Sequence, residues 1–229
     1  MTNEEFSNEF DSLINSSSAL EPFGYSTSPL KFDEYEKSMF LTKAQESVVT
    51  SLYNGRLTGD SFEKTEELKR YLSNLVKTYS TSDVEVGEGL TENSTFFSLP
   101  EDVWFITYEA VLSQDNKLGC AKGSVMEVVP VTQDELYKTN RNPFRMASKK
   151  RALRLDTEES KVEIISPYEI SEYQIRYLSK PEPIVLVDLP DGLTINKESK
   201  ETKCKLHPAL HRTILEMAVQ LAIASRAGK

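Results

Sequence analysis

Val103-Trp104-Phe105-Ile106-Thr107-Tyr108-Glu109-Ala110-Val111-Leu112 is where the apolar period of this chain changes from 3.6 to 2. Trp104, Ile106, Tyr108, Ala110 and Leu112 alternate along it, which predicts a strand carrying these five on one side. Residues 125–131, 161–165, 173–178 and 184–187 predict four more short strands, a small antiparallel sheet or sandwich. Upstream the spacing is helical. Thr2 and Glu5 form a capping-box pair ahead of Phe6, Phe10, Leu13 and Ile14, a short amphipathic helix. Residues 15–29, with Pro22, Gly24 and three consecutive serines, read as a linker that lets this helix swing or dock elsewhere. Asp33 and Glu36 open a second helix with a Leu41, Ala44, Val48, Leu52 stripe that stops near Asn54-Gly55. A third, capped by Asp60 and Glu63, carries Leu68, Tyr71, Leu72, Leu75, Val76 and Tyr79, and is expected to pair with the second as an antiparallel hairpin. Residues 80–95 are polar and read as a linker or exposed loop.

Downstream, Leu206-His207-Pro208 starts a last helix that runs to about Ser225. Leu210, Ile214, Met217 and Leu221 form one apolar stripe, and Leu215, Val219, Ala222 and Ile223 a second. A helix apolar around most of its circumference must be covered on most sides. One face is expected to pack on the chain itself, which makes Leu210, Ile214, Leu215, Met217, Val219, Leu221 and Ile223 candidates for a subunit interface. The fold class is therefore α+β: a helical hairpin, a small antiparallel sheet or sandwich, and a long closing C-terminal helix packed on the helical part. The expected segments are 1–30, 31–80, 81–205 and 206–229.

A chain of 229 residues can bury a core without staples. Its two cysteines, Cys120 and Cys204, have no CxxC spacing, so neither a disulfide framework nor a zinc ribbon is expected, and a reducing cytoplasm suits its synthesis. The acidic opening, with Glu4, Glu5, Glu9 and Asp11, does not read as a signal peptide. No stretch approaches the roughly 18 apolar residues of a bilayer span, so no membrane partner is expected.

Catalysis needs a nucleophile or base placed beside a partner, and the supply is thin. His207 and His211 stand at i, i+4, but Pro208 occupies the place of the metalloprotease glutamate. They read instead as a helix N-cap and a first-turn packing residue. There is no GxxxxGK[ST], GxGxxG or GxSxG motif, and the carboxylates cluster at helix caps, where dipole stabilisation of about 0.3 to 1 kcal/mol each explains them. No enzyme activity, cofactor or metal is expected.

Net charge is −9, which argues against a dedicated DNA-binding module. The charge is uneven: residues 1–36 hold eight carboxylates against Lys31, whereas Lys138, Arg141, Arg145, Lys149, Lys150, Arg151 and Arg154 form an acid-free basic loop. That loop could contact phosphates, the basis of an alternative reading as a nucleic-acid-binding accessory protein using residues 138–154. The competing use is pairing with the acidic end of a neighbouring copy.

Several stretches look familiar together: Asp33-Glu34-Tyr35-Glu36-Lys37-Ser38, Phe62-Glu63-Lys64-Thr65-Glu66-Glu67-Leu68, Leu99-Pro100-Glu101-Asp102 with Trp104-Phe105-Ile106-Thr107-Tyr108, Arg141-Asn142-Pro143-Phe144-Arg145, Leu189-Pro190-Asp191-Gly192-Leu193 and Leu210-His211-Arg212-Thr213-Ile214-Leu215-Glu216. Over essentially the whole chain these resemble the ring and neck structural proteins of crAss-like bacteriophages, tailed phages of gut Bacteroidales. The resemblance implies a virion subunit similar to the head–tail connector adaptors of short-tailed phages. Such a subunit forms a twelve-fold homo-oligomeric ring below the portal, beside other ring and tail proteins. It encloses or lines the DNA channel and touches genomic DNA in passage, after synthesis in the host bacterial cytoplasm. No catalytic residue carries over.

Overall fold

The N-terminal capping box forms as its residues dictate, with Thr2 N–H donating to Glu5 Oε2 at 2.8 Å and Glu5 N–H donating to Thr2 Oγ1 at 3.2 Å. Helix α1 (Asn3–Ser18) follows and buries Phe6, Phe10 and Ile14 completely. The computed structural model describes residues 1–229 except 19–30, 57–63, 86, 115–122, 159, 191 and 228–229. Most of the expected first linker, the caps Asp60 and Glu63, and Cys120 therefore lie outside the described residues.

α1 docks on its own chain instead of swinging away. Asn3 Nδ2 donates to Val185 O and Thr202 O, both at 3.1 Å. The buried Lys37 ammonium reaches Ser7 Oγ at 2.9 Å and Asp11 Oδ2 at 2.7 Å from the next helix. That helix, α2 (Glu34–Tyr53), opens with the Asp33/Glu36 capping box and closes at Asn54, followed by Gly55 at φ 70°.

α3 (Glu66–Leu72) is only seven residues long and passes through a 3₁₀ turn, Ser73–Leu75, into strand β1 (Val76–Thr81). Val76 and Tyr79 therefore leave the expected helical stripe. Their segment, Val-Lys-Thr-Tyr-Ser-Thr, is β-branched and aromatic, and a full antiparallel ladder from Val76↔Leu178 to Thr81↔Tyr173 outweighs local periodicity. The expected α2–α3 hairpin does not form, because α2 packs along the last helix, α5 (His211–Ala227), which α1 also contacts.

Two compact units result: residues 1–75 with 180–229, and residues 76–179 inserted between them. In the first, α1, α2 and α5 pack together, and Leu68 and Leu72 of α3 are buried, as are Ile184, Val185, Leu186 and Leu206. Residues 184–187 do not form the expected ladder strand, and the chain bends at Leu186 and Val187. Beyond a single bridge between Val185 and Thr202, side chains satisfy their backbone: Ile184 N–H donates to Thr42 Oγ1 and Leu186 N–H to Ser38 Oγ, both at 3.0 Å.

The second unit is one seven-stranded sheet in the order β1-β7-β3-β4-β5-β6-β2. Its other strands are β2 (Ser94–Ser98), β3 (Val103–Ser113), β4 (Ser124–Pro130), β5 (Arg151–Glu158), β6 (Lys161–Ile165) and β7 (Ile170–Ser179). β4 and β5 pair in parallel across a connection that contains α4 (Leu136–Arg141), so the expected five-stranded antiparallel sheet is larger and mixed. The sheet curls strongly. Phe97 on β2 and Tyr173 on β7 lie five strands apart, about 24 Å in a flat sheet, yet their ring centroids are 5.4 Å apart. Residues of β2 through β7, including Val111, Met126, Val162, Ile164 and Ile175, consequently share one core.

The alternation expected along β3 fails at a bulge. Register shifts between Val103 and Phe105 and between Ile106 and Tyr108 break the alternation, and Glu109, Ala110, Val111 and Ser113 are buried while Tyr108 is exposed.

Candidate assembly surfaces

α5 uses much of its apolar circumference within its own unit. Leu210, Ile214, Leu215, Ala218, Val219 and Ala222 are buried, whereas Met217 and Leu221 are half-buried and Ile223 is exposed. Of the seven expected interface residues, Leu210, Ile214, Leu215 and Val219 are thus covered by the chain itself, since α1 and α2 pack on two sides of the helix. Met217, Leu221 and Ile223 remain accessible to a neighbour.

The two histidines are structural. His207 Nδ1 accepts from Ala209 N–H at 3.3 Å, an N-cap on the 3₁₀ turn Pro208–Leu210. His211 is buried beside Phe6, with Nδ1 at 2.8 Å from the Met1 amine and Nε2 at 3.1 Å from Leu206 O. An ammonium only donates and a carbonyl only accepts, which fixes the neutral ring with its proton on Nε2. Burial, then the nearby amine, pulls the His211 pKa below its ordinary value. Among the described residues no group of three or more His, Cys, Asp or Glu side chains could hold a metal ion, and no helix is long and apolar enough to cross a membrane.

The basic segment is not one loop. It spans α4, a turn and the start of β5, and β5 sends its cations to different places. Ala152 and Arg154 point into the curled interior, whereas Leu153 and Leu155 pack beneath α4 with Leu136 and Ala147. Arg154 ion-pairs with Glu109, whose other oxygen accepts from Tyr173 Oη–H at 3.0 Å, and its Nε lies 3.1 Å from Asp156. Burial pushes the Glu109 carboxyl up against the pull of Arg154, and pushes the Tyr173 hydroxyl up as well, helped by the Glu109 charge. Arg154 therefore belongs to the interior and is not a surface cation.

Buried Glu163 and half-exposed Asp102 are similarly engaged. Glu163 Oε1 accepts from Leu90 N–H at 2.9 Å and from the Ser94 hydroxyl. Burial works against ionised Asp102, but Lys77 at 2.6 Å and Tyr177 at 3.0 Å hold its pKa below the usual range; burial and Asp102 in turn push Tyr177 up to about 12.

Lys138, Arg141, Arg145, Lys149 and Lys150 remain exposed, and Arg151 is half-exposed. At their centre stands Phe144, 90% exposed on an ordered turn. Asn142 builds that turn: its Oδ1 accepts from Phe144 N–H at 3.0 Å, and its backbone O from Arg145 and Met146 N–H at 3.0 and 2.9 Å. Arg151 Nη1 donates to Phe144 O at 2.8 Å. Leu136 and Ala147 are buried on either side, and Tyr137 is exposed beneath the Arg141 guanidinium, 4.2 Å from its ring centroid. In the sequence the cations of this stretch dominate and mask the aromatic among them. The available signal was a phenylalanine directly after Asn-Pro, a turn that leaves little to cover it.

The other unit offers a groove of about 320 Å³ lined by Asn3, Glu4, Ser7 and Asn8 of α1, Glu34 of α2, and Leu186 and Val187. Its apolar lining is the bend at Leu186 and Val187, and Val187 is exposed there. α1 carries Glu4, Glu5, Glu9 and Asp11 and no cation.

Residues 1–229 match the family model described as phage tail ring protein 3/4. The chain is 53% identical over 229 residues to "Ring protein 3" of Bacteroides phage crAss001, across 99% of this chain and 96% of that protein. It is 32% identical over 248 residues to "Ring protein 4/5" of the same phage, across 100% of this chain and 94% of that protein. An unbroken match to one family over both units, at these identities, makes this chain a member of the phage tail ring protein 3/4 family, a crAss-like phage ring protein.

Proposed function

We propose that this chain is a non-enzymatic subunit of a closed homo-oligomeric ring in the neck and tail of a crAss-like phage virion. The ring lies in a stack that joins the capsid portal to the tail and encloses the DNA channel, and the chain is the counterpart of ring protein 3. The end-to-end 53% identity to that protein carries this reading, and the lower identity to ring protein 4/5 favours the ring 3 position. Twelve copies match the symmetry expected of a portal-apposed connector.

The fold supports such a role. Both units have their own cores, and the buried His211, Glu109, Glu163 and Lys37 side chains are each held by structural partners. A repeated contact between two different surfaces of one chain closes into a ring when its rotation divides the circle evenly.

Native mass spectrometry of the purified chain, with class averages of the particles, tests the reading. A discrete high-order oligomer with a central hole is expected, either alone or on the purified portal. A chain that stays monomeric in both settings, together with virions lacking it that keep an intact neck, overturns the proposal. The nucleic-acid alternative draws on the exposed Lys138, Arg141, Arg145, Lys149 and Lys150, and predicts a monomer or dimer whose DNA affinity falls steeply with salt.

A further inference from the structure

We propose that the Phe144 turn of one copy docks into the α1 groove of a second copy, with the Phe144 ring seated over Leu186 and Val187 and the flanking arginines against the α1 carboxylates. This rests on the ring reading and names the contact that would build it.

Three observations support the docking. First, Phe144 is 90% exposed yet sits on a turn held by Asn142 and Arg151 and anchored by the buried Leu136 and Ala147. A preorganised aromatic loses little freedom on binding, and buried aromatics dominate interface energetics. Second, the groove of about 320 Å³ has an apolar floor, Leu186 and Val187, under a polar and acidic rim, and its volume accommodates a phenyl ring. Third, the charges are complementary. The turn is flanked by Arg141, Arg145, Lys149 and Lys150 with no acid between residues 136 and 151, while Glu4 lines the groove and α1 also carries Glu5 and Glu9 with no cation of its own, Asp11 and Glu34 being held by Lys37.

A second copy is favoured over DNA because the group at the centre of the turn, 90% exposed, is apolar. A phenyl ring at a phosphate backbone gains nothing, whereas an apolar floor removes it from water. Both partners reside on every copy and are different surfaces, so the contact is heterologous and propagates from copy to copy.

The test uses the full chain in a background with Cys120 and Cys204 replaced by serine. Phe144→Cys and Val187→Cys are made separately and together. The two single variants, mixed, should cross-link to each other under mild oxidation, neither alone should do so, and the double variant should give a ladder of oligomers. Phe144→Ala should weaken self-association about thirty-fold, the loss of one aromatic hot spot. Arg145→Glu should weaken it further, and Glu4→Arg in the partner should restore part of the loss.

Wild-type rings with no mixed cross-link, or with unchanged assembly of Phe144→Ala, overturn this contact and leave the ring reading standing. A wild-type chain without rings whose single variants still cross-link supports the contact and overturns the ring. Loss of DNA retention, with normal self-association, in the Phe144→Ala and Arg145→Glu variants would assign the turn to nucleic acid and overturn the docking.

Discussion

Replacing Arg154 with methionine should be among the most damaging single changes in the β unit, although sequence alone places this residue in a solvated basic stretch. Its side chain is 11% exposed and that of its partner Glu109 is 7% exposed, with Tyr173 completing the group. Removing one partner of a buried pair leaves the other charge without compensation and costs about 3 to 5 kcal/mol. Replacing both at similar volume is far milder, so Glu109→Leu with Arg154→Met should recover most of the loss, short of about 1 kcal/mol for the Tyr173 hydroxyl left without its acceptor. Urea unfolding followed by Trp104, the single tryptophan and a β3 residue of the same unit, reads this directly. The variant's pH dependence gives a second reading. With the guanidinium gone, burial raises the folded pKa of Glu109 further above its unfolded value near about 4.3. Stability from such a group is fully present below the unfolded pKa and is lost as pH rises through the folded one. Arg154→Met should therefore regain stability on acidification from neutral pH towards 5. A loss under 1 kcal/mol, or a double variant no better than the single, would refute the interior ion pair. Lys149→Met and Lys150→Met, at exposed positions, should stay within about 0.5 kcal/mol of the parent.

Leu215→Ala in α5 should cost about 2 to 5 kcal/mol at any protein concentration, because the residue is fully buried in its own chain; a change confined to assembly, with unaltered urea unfolding, would return it to an interface. Asp33→Ala should remove about 1 kcal/mol by opening the α2 capping box, measured as a lower urea midpoint at unchanged slope. His211 is neutral in the fold with a lowered pKa, so the unfolded chain binds its proton first and stability declines as pH falls below about 6.5, at most about 1.4 kcal/mol per pH unit. In His211→Asn that part of the slope should vanish, and an unchanged slope between pH 6.5 and 5 would show that the ring is not buried as a neutral base.

What could be read from the sequence was local, and what could not was decided by pairing at a distance. The capping boxes of Thr2/Glu5 and Asp33/Glu36, the stop at Asn54-Gly55 and the strand at Lys161–Ile165 are each specified by neighbouring residues, and each is found. Val76 and Tyr79 of β1 fit a helical stripe, Ser94 and Thr95 of β2 a polar linker, and Arg151 and Arg154 of β5 a basic loop, because the strands' own patterns are weak. Val76–Thr81 becomes a strand through β7, a hundred residues later, and Arg151–Glu158 through β4 and β6. Arg154 shows the limit most clearly. Charge types a residue as solvated by default, and only the curl that brings Glu109 and Tyr173 beside it reverses that. The same holds for Phe144, where composition shows cations and only the turn geometry shows an uncovered ring.

The covering of α5 also changes what kind of assembly the chain can support. Had the second apolar stripe been left open, copies would cohere through a hydrophobic helix face, and an isolated subunit would carry an aggregation-prone surface. With Leu215 and Val219 enclosed by the chain itself, that stripe of α5 needs no neighbour to cover it. On the proposed docking, cohesion comes instead from a smaller, more polar contact, an aromatic knob guided by opposite charges. Charge-guided contacts between exposed groups weaken as salt shortens the Debye length from about 10 Å at 0.1 M to about 3 Å at 1 M, whereas apolar helix packing does not. Assembly through that contact should therefore fall between 0.1 and 1 M salt, and a ring whose population rises or stays constant over that range would point instead to an apolar interface, such as one through Met217, Leu221 and Ile223.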